Sequence, residues 1–365
     1  MRLSLTGLLI LTFFLPEDIF GQKKWSIDSL LNKELNLVPV PSLVISPEVG
    51  VMYGLFVDYY YKTTPEEDTT TRPSLSFIDF QYSTRKQLNA ELFMSAYTPY
   101  EKYYVFLRAG YFDELERYWG NTTPTLGNED YLTIRYKRFQ AFGRFSKNLG
   151  ERQFVGLGYQ YNRFFRSSIE ETPFTDFIPN GTNSTIIGMG PVFTIDRRDN
   201  QFSPKRGMYL DLYSYSMFNL KANSFAYQIF NADFRKYREI KKHVLAAQLL
   251  LQSSAGEVPV MEKFRLGGPQ VMRGLFKGQF RDDHLWALQG EYRYEIWPLI
   301  KVAGFGSIGN TSPTFTGLLS QKLVAGYGAG IRLRLNKSKQ VYGAFDYART
   351  SIGTDGFYMK LGDAF

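Results

Sequence analysis

The chain has 365 residues, no cysteine, two histidines and a formal net charge of +8, and its 26 Tyr and 31 Phe lift the aromatic share to 17%. The lack of cysteine excludes a disulfide-stapled scaffold, and a charged fraction of only 21% beside so many aromatics excludes a disordered chain. Length alone suggests about two domains, but the patterning from residue 38 onward reads as one.

Residues 1–21 read as an export signal: Met1-Arg2 is a short basic end, Leu3 to Leu15 is an apolar run of 13 residues, Pro16 breaks it, and Gly21 precedes "QKK". A membrane-spanning helix needs ~20 apolar residues, so the run is too short to be an anchor. No later stretch reaches 18 consecutive apolar residues. Residues 22–37 form a short segment expected on the periplasmic side, and Ser26 to Leu35 is its only amphipathic helical pattern. Residues 38–365 form the remaining domain, where period-two alternation dominates.

Sixteen alternating segments follow, near 38–46, 49–61, 74–84, 87–97, 102–112, 130–146, 153–167, 184–196, 207–218, 224–236, 241–253, 284–296, 299–308, 321–335, 340–350 and 357–365. In "QLNAELFMSAY", Leu88, Ala90, Leu92, Met94 and Ala96 share one face and Gln87, Asn89, Glu91 and Ser95 the other. Most segments reach about ten residues, the length a tilted strand needs to cross a bilayer. An even count puts both ends on one side. The turns there are short (148–152, 237–240, 297–298, 336–339), whereas 62–73 is longer, and the opposite side carries long loops at 113–129, 168–183, 254–283 and 309–320. Tyrosine and phenylalanine cluster at segment ends, as in "DYYYK" and "KYYVF", where aromatic girdles meet a membrane interface. A soluble sandwich also alternates, but leaves charges rather than aromatics to water. The predicted fold is therefore all-β: a 16-stranded antiparallel transmembrane β-barrel, closed so that every backbone group within lipid is paired.

A barrel of sixteen strands has a lumen too wide for side chains alone to fill. The loop at 254–283 is the longest, and Gly267, Gly268, Gly274 and Gly278 let it turn tightly, so it is expected to fold into the lumen. Arg273 then needs a carboxylate, which Glu291 or Glu295 on the next polar stripe can supply. Gly326, Gly328 and Gly330 alternate with Tyr327, Ala329 and Ile331, a glycine stripe suited to seat another backbone.

"VMRGLFKG" resembles the loop signature of the bacterial surface antigen family, the BamA-like insertase and translocase barrels of the outer membrane. "ISPEVGVMYG" is similar to that family's first hairpin, "TIDRRDNQFSPKRGMYLDL" to its periplasmic turn, "ALQGEYRYEIW" to the strand after the loop, and "FYMKLGDAF" to its closing strand. By this resemblance Arg273 and Gly274 are the loop tip, Glu291 the carboxylate Arg273 meets, and Phe305 the aromatic beside it. Asp196, Arg198, Asp199, Pro204 and Gly207 form the turn motif, and Phe365 belongs to the signal directing the barrel's own insertion. The family often has an aspartate two residues after the aromatic, where this chain has Ser307, so the arginine is expected to have fewer partners. Leu275 replaces the aromatic that usually follows Arg-Gly, with Phe276 next. The short leading segment resembles the subgroup without periplasmic POTRA domains.

Other motifs carry no chemistry. "GYGAG" lies inside a strand with no helix after it, so it is not a nucleotide loop. "DRRDN" fits a turn with internal Asp–Arg pairing better than a metal site, and His243 and His284 are too few and too far apart for zinc. No Gly-x-Ser-x-Gly elbow occurs. No catalytic residue, cofactor or metal is expected, and no compact basic patch suggests nucleic acid. The expected partners are outer-membrane lipids together with client outer-membrane proteins or a partner protein. The resemblance implies assistance to insertion or translocation of outer-membrane or surface proteins, with Pro39, Pro41 and Pro47 and Gly362 weakening the seam between first and last strands. The alternatives are a passive pore or a scaffold for a partner, and, more remotely, an outer-membrane lipid hydrolase using His243 or His284 beside a lipid-facing serine.

Overall fold

A computed structural model describes residues 37–365 apart from 47–49, 65–67, 69, 121–130, 172–182, 202, 221–224, 337–340 and 364. The expected export signal, almost all of the short N-terminal segment, and Pro47 lie outside the described residues. The strands are β1 (Leu37–Ser46), β2 (Gly50–Tyr61), β3 (Ser74–Ser83), β4 (Leu88–Tyr97), β5 (Tyr103–Tyr118), β6 (Leu132–Asn148), β7 (Gln153–Glu171), β8 (Thr185–Asp196), β9 (Gly207–Asn219), β10 (Ala226–Ile240) and β11 (His243–Gly256). A small pair, β12 (Phe264–Leu266) and β13 (Phe280–Asp282), lies inside the long loop. The series ends with β14 (His284–Trp297), β15 (Ile300–Ser312), β16 (Val324–Asn336), β17 (Val341–Thr350) and β18 (Asp355–Leu361).

Sixteen strands form one antiparallel sheet in chain order, with β11 next to β14, and β12–β13 form a separate two-stranded sheet. The alternation sorts side chains to two sides. On β14, Gln289, Glu291 and Arg293 are buried while Leu288 and Tyr292 are exposed; on β11, Gln248 and Leu250 are buried while Leu245 and Leu249 are exposed. The exposed apolar set continues around the sheet through Ile78, Phe80, Leu157, Met189, Tyr327, Phe345 and Phe357. A soluble protein rarely exposes an apolar patch beyond a few hundred Å², whereas a bilayer matches such a band.

The loop between β11 and β14 lies within the curve of the sheet. Val258, Val260 and Met261 pack on Ile134, Tyr136, Phe164, Ile186 and Met217 from one part of the wall. Leu266, Met272, Leu275 and Phe280 pack on Leu250, Leu285, Ala287 and Val324 from another. One loop reaches both only across the lumen. The β12–β13 pairing, Leu266 opposite Phe280, stiffens it and was not legible as alternation because each strand has three residues.

Several strand limits differ from expectation. β5 and β7 extend to Tyr118 and Glu171, so parts of the expected 113–129 and 168–183 loops are strand, and β6 runs to Asn148, the first residue of the expected 148–152 turn. Beyond the bilayer a ladder can continue with charges on either face, which hides it from an apolar/polar reading. Residues 237–240 belong to β10, and the turn falls at 241–242 instead. The last strand ends at Leu361 rather than running to 365: Gly362 takes a φ of +75°, and Phe365 is buried in a cluster with Tyr237 and Ala246.

Candidate functional site

Arg273 sits at the loop tip with its side chain almost wholly buried. Its Nη2 donates to Glu291 Oε2 at 2.7 Å and its Nη1 to Asp346 Oδ2 at 2.6 Å. The guanidinium carbon lies 3.3 Å from the centre of the Phe305 ring, a cation–π contact. The backbone is held as well: Met272 N donates to Gln289 Oε1 at 3.3 Å, and Gly274 N to the Tyr358 hydroxyl at 2.9 Å. Gly274 has a φ of +97°, and a Cβ there would meet the backbone of Ala348 and Arg349 at 3.0–3.1 Å. A Cβ on Gly326 would lie 2.9 Å from the Arg273 carbonyl oxygen, so the glycine stripe of β16 passes under the tip.

The expectation of fewer partners for Arg273 fails. Ser307 donates to the Gly326 carbonyl at 3.4 Å, and the second carboxylate comes from Asp346 on β17. A further set of charged partners, not legible in the sequence, lies beyond. Glu291 Oε1 accepts from Arg293 Nε at 2.7 Å and from Arg332 Nη2 at 3.3 Å, and Arg332 Nη1 pairs with Asp346. Asp363, in the tail after β18, meets Arg293 Nη1 at 2.9 Å and Arg332 Nε at 3.1 Å. Three guanidinium groups and three carboxylates thus form one buried, formally neutral network from the loop tip to the C-terminal tail. Isolated burial of any one of these charges would be prohibitive, so pairing throughout is what lets them occupy the lumen wall. The available signal was register: Arg332 and Asp346 fall on lumen-facing positions of strands whose neighbours there are glycine and alanine.

The turn between β8 and β9 crosses the barrel mouth at the end where β18 finishes. Asp196 accepts from Arg198 Nε and Nη2 at 2.8 and 2.9 Å, and from Arg72 Nη1 at 2.8 Å. Asp199 Oδ1 accepts three backbone N–H groups, from Asn200, Lys205 and Arg206, at 2.9–3.1 Å. Gly207 has a φ of +103°. On one side Gln201 Nε2 donates to Tyr97 Oη at 2.8 Å; on the other the Pro204 carbonyl accepts from Arg293 at 3.1 Å and Ser203 Oγ donates to Asp363 at 2.7 Å. Phe365 lies against this end, its carbonyl oxygen accepting from Arg293 Nη2 at 3.4 Å.

β1 and β18 approach with Cα atoms within 8 Å. Every other neighbouring pair in the barrel is joined by a backbone ladder, but among the described residues no ladder joins these two. Thr84 N donates to the Val51 carbonyl, so odd-numbered residues of β2 bond toward β3 and even-numbered ones toward β1. The register Ser42 opposite Gly54 and Val40 opposite Phe56 then turns the backbone groups of odd-numbered β1 residues toward β18. Pro39 and Pro41 are among these and have no N–H to give.

Ser253 Oγ and His284 Nδ1 lie 2.8 Å apart on the outward side of β11 and β14. The His284 ring meets Phe315 edge-on, and among the described residues no carboxylate hydrogen-bonds it to orient a base. His243 stacks on Tyr294 and touches the Tyr292 hydroxyl.

The sequence matches the Omp85 superfamily domain over residues 66–365. No curated protein sequence matches the chain. Solved structures similar to it include BamA from Haemophilus ducreyi lacking POTRA domains 1-3, with a TM-score of 0.54 and 14% identity over 89% of this chain and 69% of that one. CdiB from Escherichia coli gives a TM-score of 0.57 and 13% identity over 90% of this chain and 63% of that one. CdiB from Acinetobacter baumannii gives 0.52 and 13% over 89% and 57%. The chain therefore spans less than two thirds of either CdiB, and at these identities the likeness is one of fold. The chain belongs to the Omp85 superfamily and is a bacterial outer-membrane β-barrel.

Proposed function

We propose that this Omp85 barrel assists the insertion or translocation of outer-membrane or surface proteins by opening between β1 and β18. The observation that carries the reading is the missing ladder at that one junction. Unpaired backbone groups in hydrocarbon cost several kcal/mol each, so an edge left open there favours an incoming strand. An edge strand is also a template for main-chain pairing. Five β1 positions present their backbone to β18, namely Leu37, Pro39, Pro41, Leu43 and Ile45, and the two prolines withdraw donors from the edge. The chain's own closure is weakened, while carbonyl acceptors remain for a client.

The experiment is depletion of the protein followed by quantification of the outer-membrane proteome. Loss of a defined set of barrels or surface proteins supports the proposal and names the clients. An unchanged proteome refutes it and leaves the second reading, a scaffold barrel for a partner protein. The filled lumen favours that alternative over an open pore, because the long loop packs on both walls and the β8–β9 turn spans the mouth.

A further inference from the structure

We infer that the periplasmic mouth holds a binding site for a phosphate oxyanion, built around Lys301. The site is a cavity of about 170 Å³ beside the β10–β11 turn, lined by Lys205, Lys241, Lys242, Lys301 and Arg293. Two carboxylates, Glu239 and Glu295, share the lining. At about 30 Å³ of liquid per water, that space holds roughly five or six waters or one phosphate-sized anion.

The cations are not equally committed. Arg293 is occupied by Glu291, Asp363 and the Pro204 carbonyl. Glu239 is shared between Arg206 Nε at 2.7 Å and Lys205 Nζ at 3.6 Å. Lys241 and Lys242 are exposed and form no ion pair among the described residues. Lys301 is the anomaly. It is only 4% exposed, yet no described carboxylate comes within ion-pair distance of its ammonium. Its partners are neutral: Ser203 Oγ at 3.2 Å and the face of Tyr342, with Nζ 3.6 Å from the ring centre. Glu295 is its cross-strand neighbour without bonding it, and Asp363 is taken by two arginines and Ser203.

A buried ammonium with three donors and one hydrogen bond calls for an anion. The unpaired set is Lys241, Lys242 and Lys301 against Glu295 alone, an excess of two positive charges around one small cavity. A tetrahedral oxyanion with two or three acceptor oxygens matches converging lysine point charges. The same chemistry is offered by free phosphate in the periplasm and by the phosphodiester of an anionic phospholipid reaching over the rim at Lys241 and Lys242.

The test uses the full-length barrel in phosphatidylcholine nanodiscs. In one arm inorganic phosphate is titrated calorimetrically at constant ionic strength. In the other, nanodiscs containing phosphatidylglycerol are used and retained lipid is measured by native mass spectrometry. Lys301→Met keeps a long unbranched side chain without the charge that lies over Tyr342, and Lys241→Gln/Lys242→Gln changes only exposed rim residues, so a folding defect in the first leaves the second informative. Each is expected to weaken binding by about tenfold or more, the loss of a charge-assisted hydrogen bond. Saturable phosphate binding lost in the variants identifies free phosphate as the ligand. Preferential retention of phosphatidylglycerol lost in the variants identifies the headgroup. No binding in either arm, or binding that folded variants keep, overturns the inference.

Discussion

Replacing Arg273 with methionine should release the loop. The substitution keeps much of the stem but removes two contacts, at 2.7 Å to Glu291 and 2.6 Å to Asp346, and leaves the buried network with one negative charge in excess. Removing one member of a buried ion pair costs about 3–5 kcal/mol. The lower end applies here, because Glu291 keeps Arg293 and Arg332, and Asp346 keeps Arg332. About 3 kcal/mol corresponds to roughly a hundredfold shift in the equilibrium between seated and released loop. Limited trypsin digestion after Lys277, with the temperature at which the folded band is lost on SDS gels, reads the effect. Adding Asp346→Asn restores neutrality and should recover part of the loss, whereas Arg273→Lys should not, since an ammonium does not fork to two carboxylates. Unchanged cleavage and gel mobility in Arg273→Met, or a double variant no better than the single one, would refute the reasoning.

Lys277 is an exposed residue of the same loop, and the positive charge of Arg265 first, then partial loss of hydration, pushes its ammonium down to about 8. A depressed folded-state value means stability is gained as pH rises from about 8 toward the ordinary lysine range near ~10.4. Lys277→Gln should therefore make the loop harder to cleave with chymotrypsin at pH 7 and abolish the gain between pH 7 and 10. Asp68, in the β2–β3 turn, is held well below the usual carboxylate range by hydrogen bonds from Thr71 first, then Thr70 and the Tyr100 N–H. Its contribution is present above the ordinary Asp value and lost as pH falls through the lower folded one, so wild type should resist nicking at residues 62–73 better than Asp68→Asn at neutral pH, with the difference vanishing in acid. Cysteine pairs spread over 39–45 and 356–360 should crosslink β1 to β18; failure of the whole set would place a different pair of strands at the junction. Deleting residues 257–280 should raise single-channel conductance, and an unchanged current would show that the β8–β9 turn seals the barrel alone.

The strands were legible because a lipid-facing band demands apolar residues at every second position, and this chain supplies them from β2 to β17. Less legible was anything set by closure of the barrel in three dimensions. The polar stripe next in sequence offers both Glu291 and Glu295 to Arg273, and only the family resemblance singles out Glu291. Neither Asp346 nor Asp363 is legible in this way, being 73 residues from Arg273 along the chain in the first case and in a tail that reads as strand in the second. Gly362 marks a weak point near the end of the last strand, but a glycine alone does not say which way the chain turns. The direction follows from Asp363, which Arg293 and Arg332 draw inward.

That inward turn joins two features the sequence presents separately. The loop tip rests on β16, β17 and Tyr358 of β18, and the tail of β18 is held by the same arginines that hold the tip's carboxylates. β18 therefore has few backbone bonds on its seam side but a dense set of charges on its lumen side. Swinging β18 outward as a unit would pull Asp363 from two guanidinium groups and leave those charges without a partner in a poorly hydrated wall. Separating β1 from β18 disturbs none of them. The cheaper movement is thus displacement of β1, with Pro39 and Pro41 on its edge, away from a β18 that stays fixed to the loop. Spin labels on β1 and β18, each measured against β9, distinguish the two: on opening, the β1 distance should broaden while the β18 distance stays narrow, and the reverse pattern would mean that the charge network yields first.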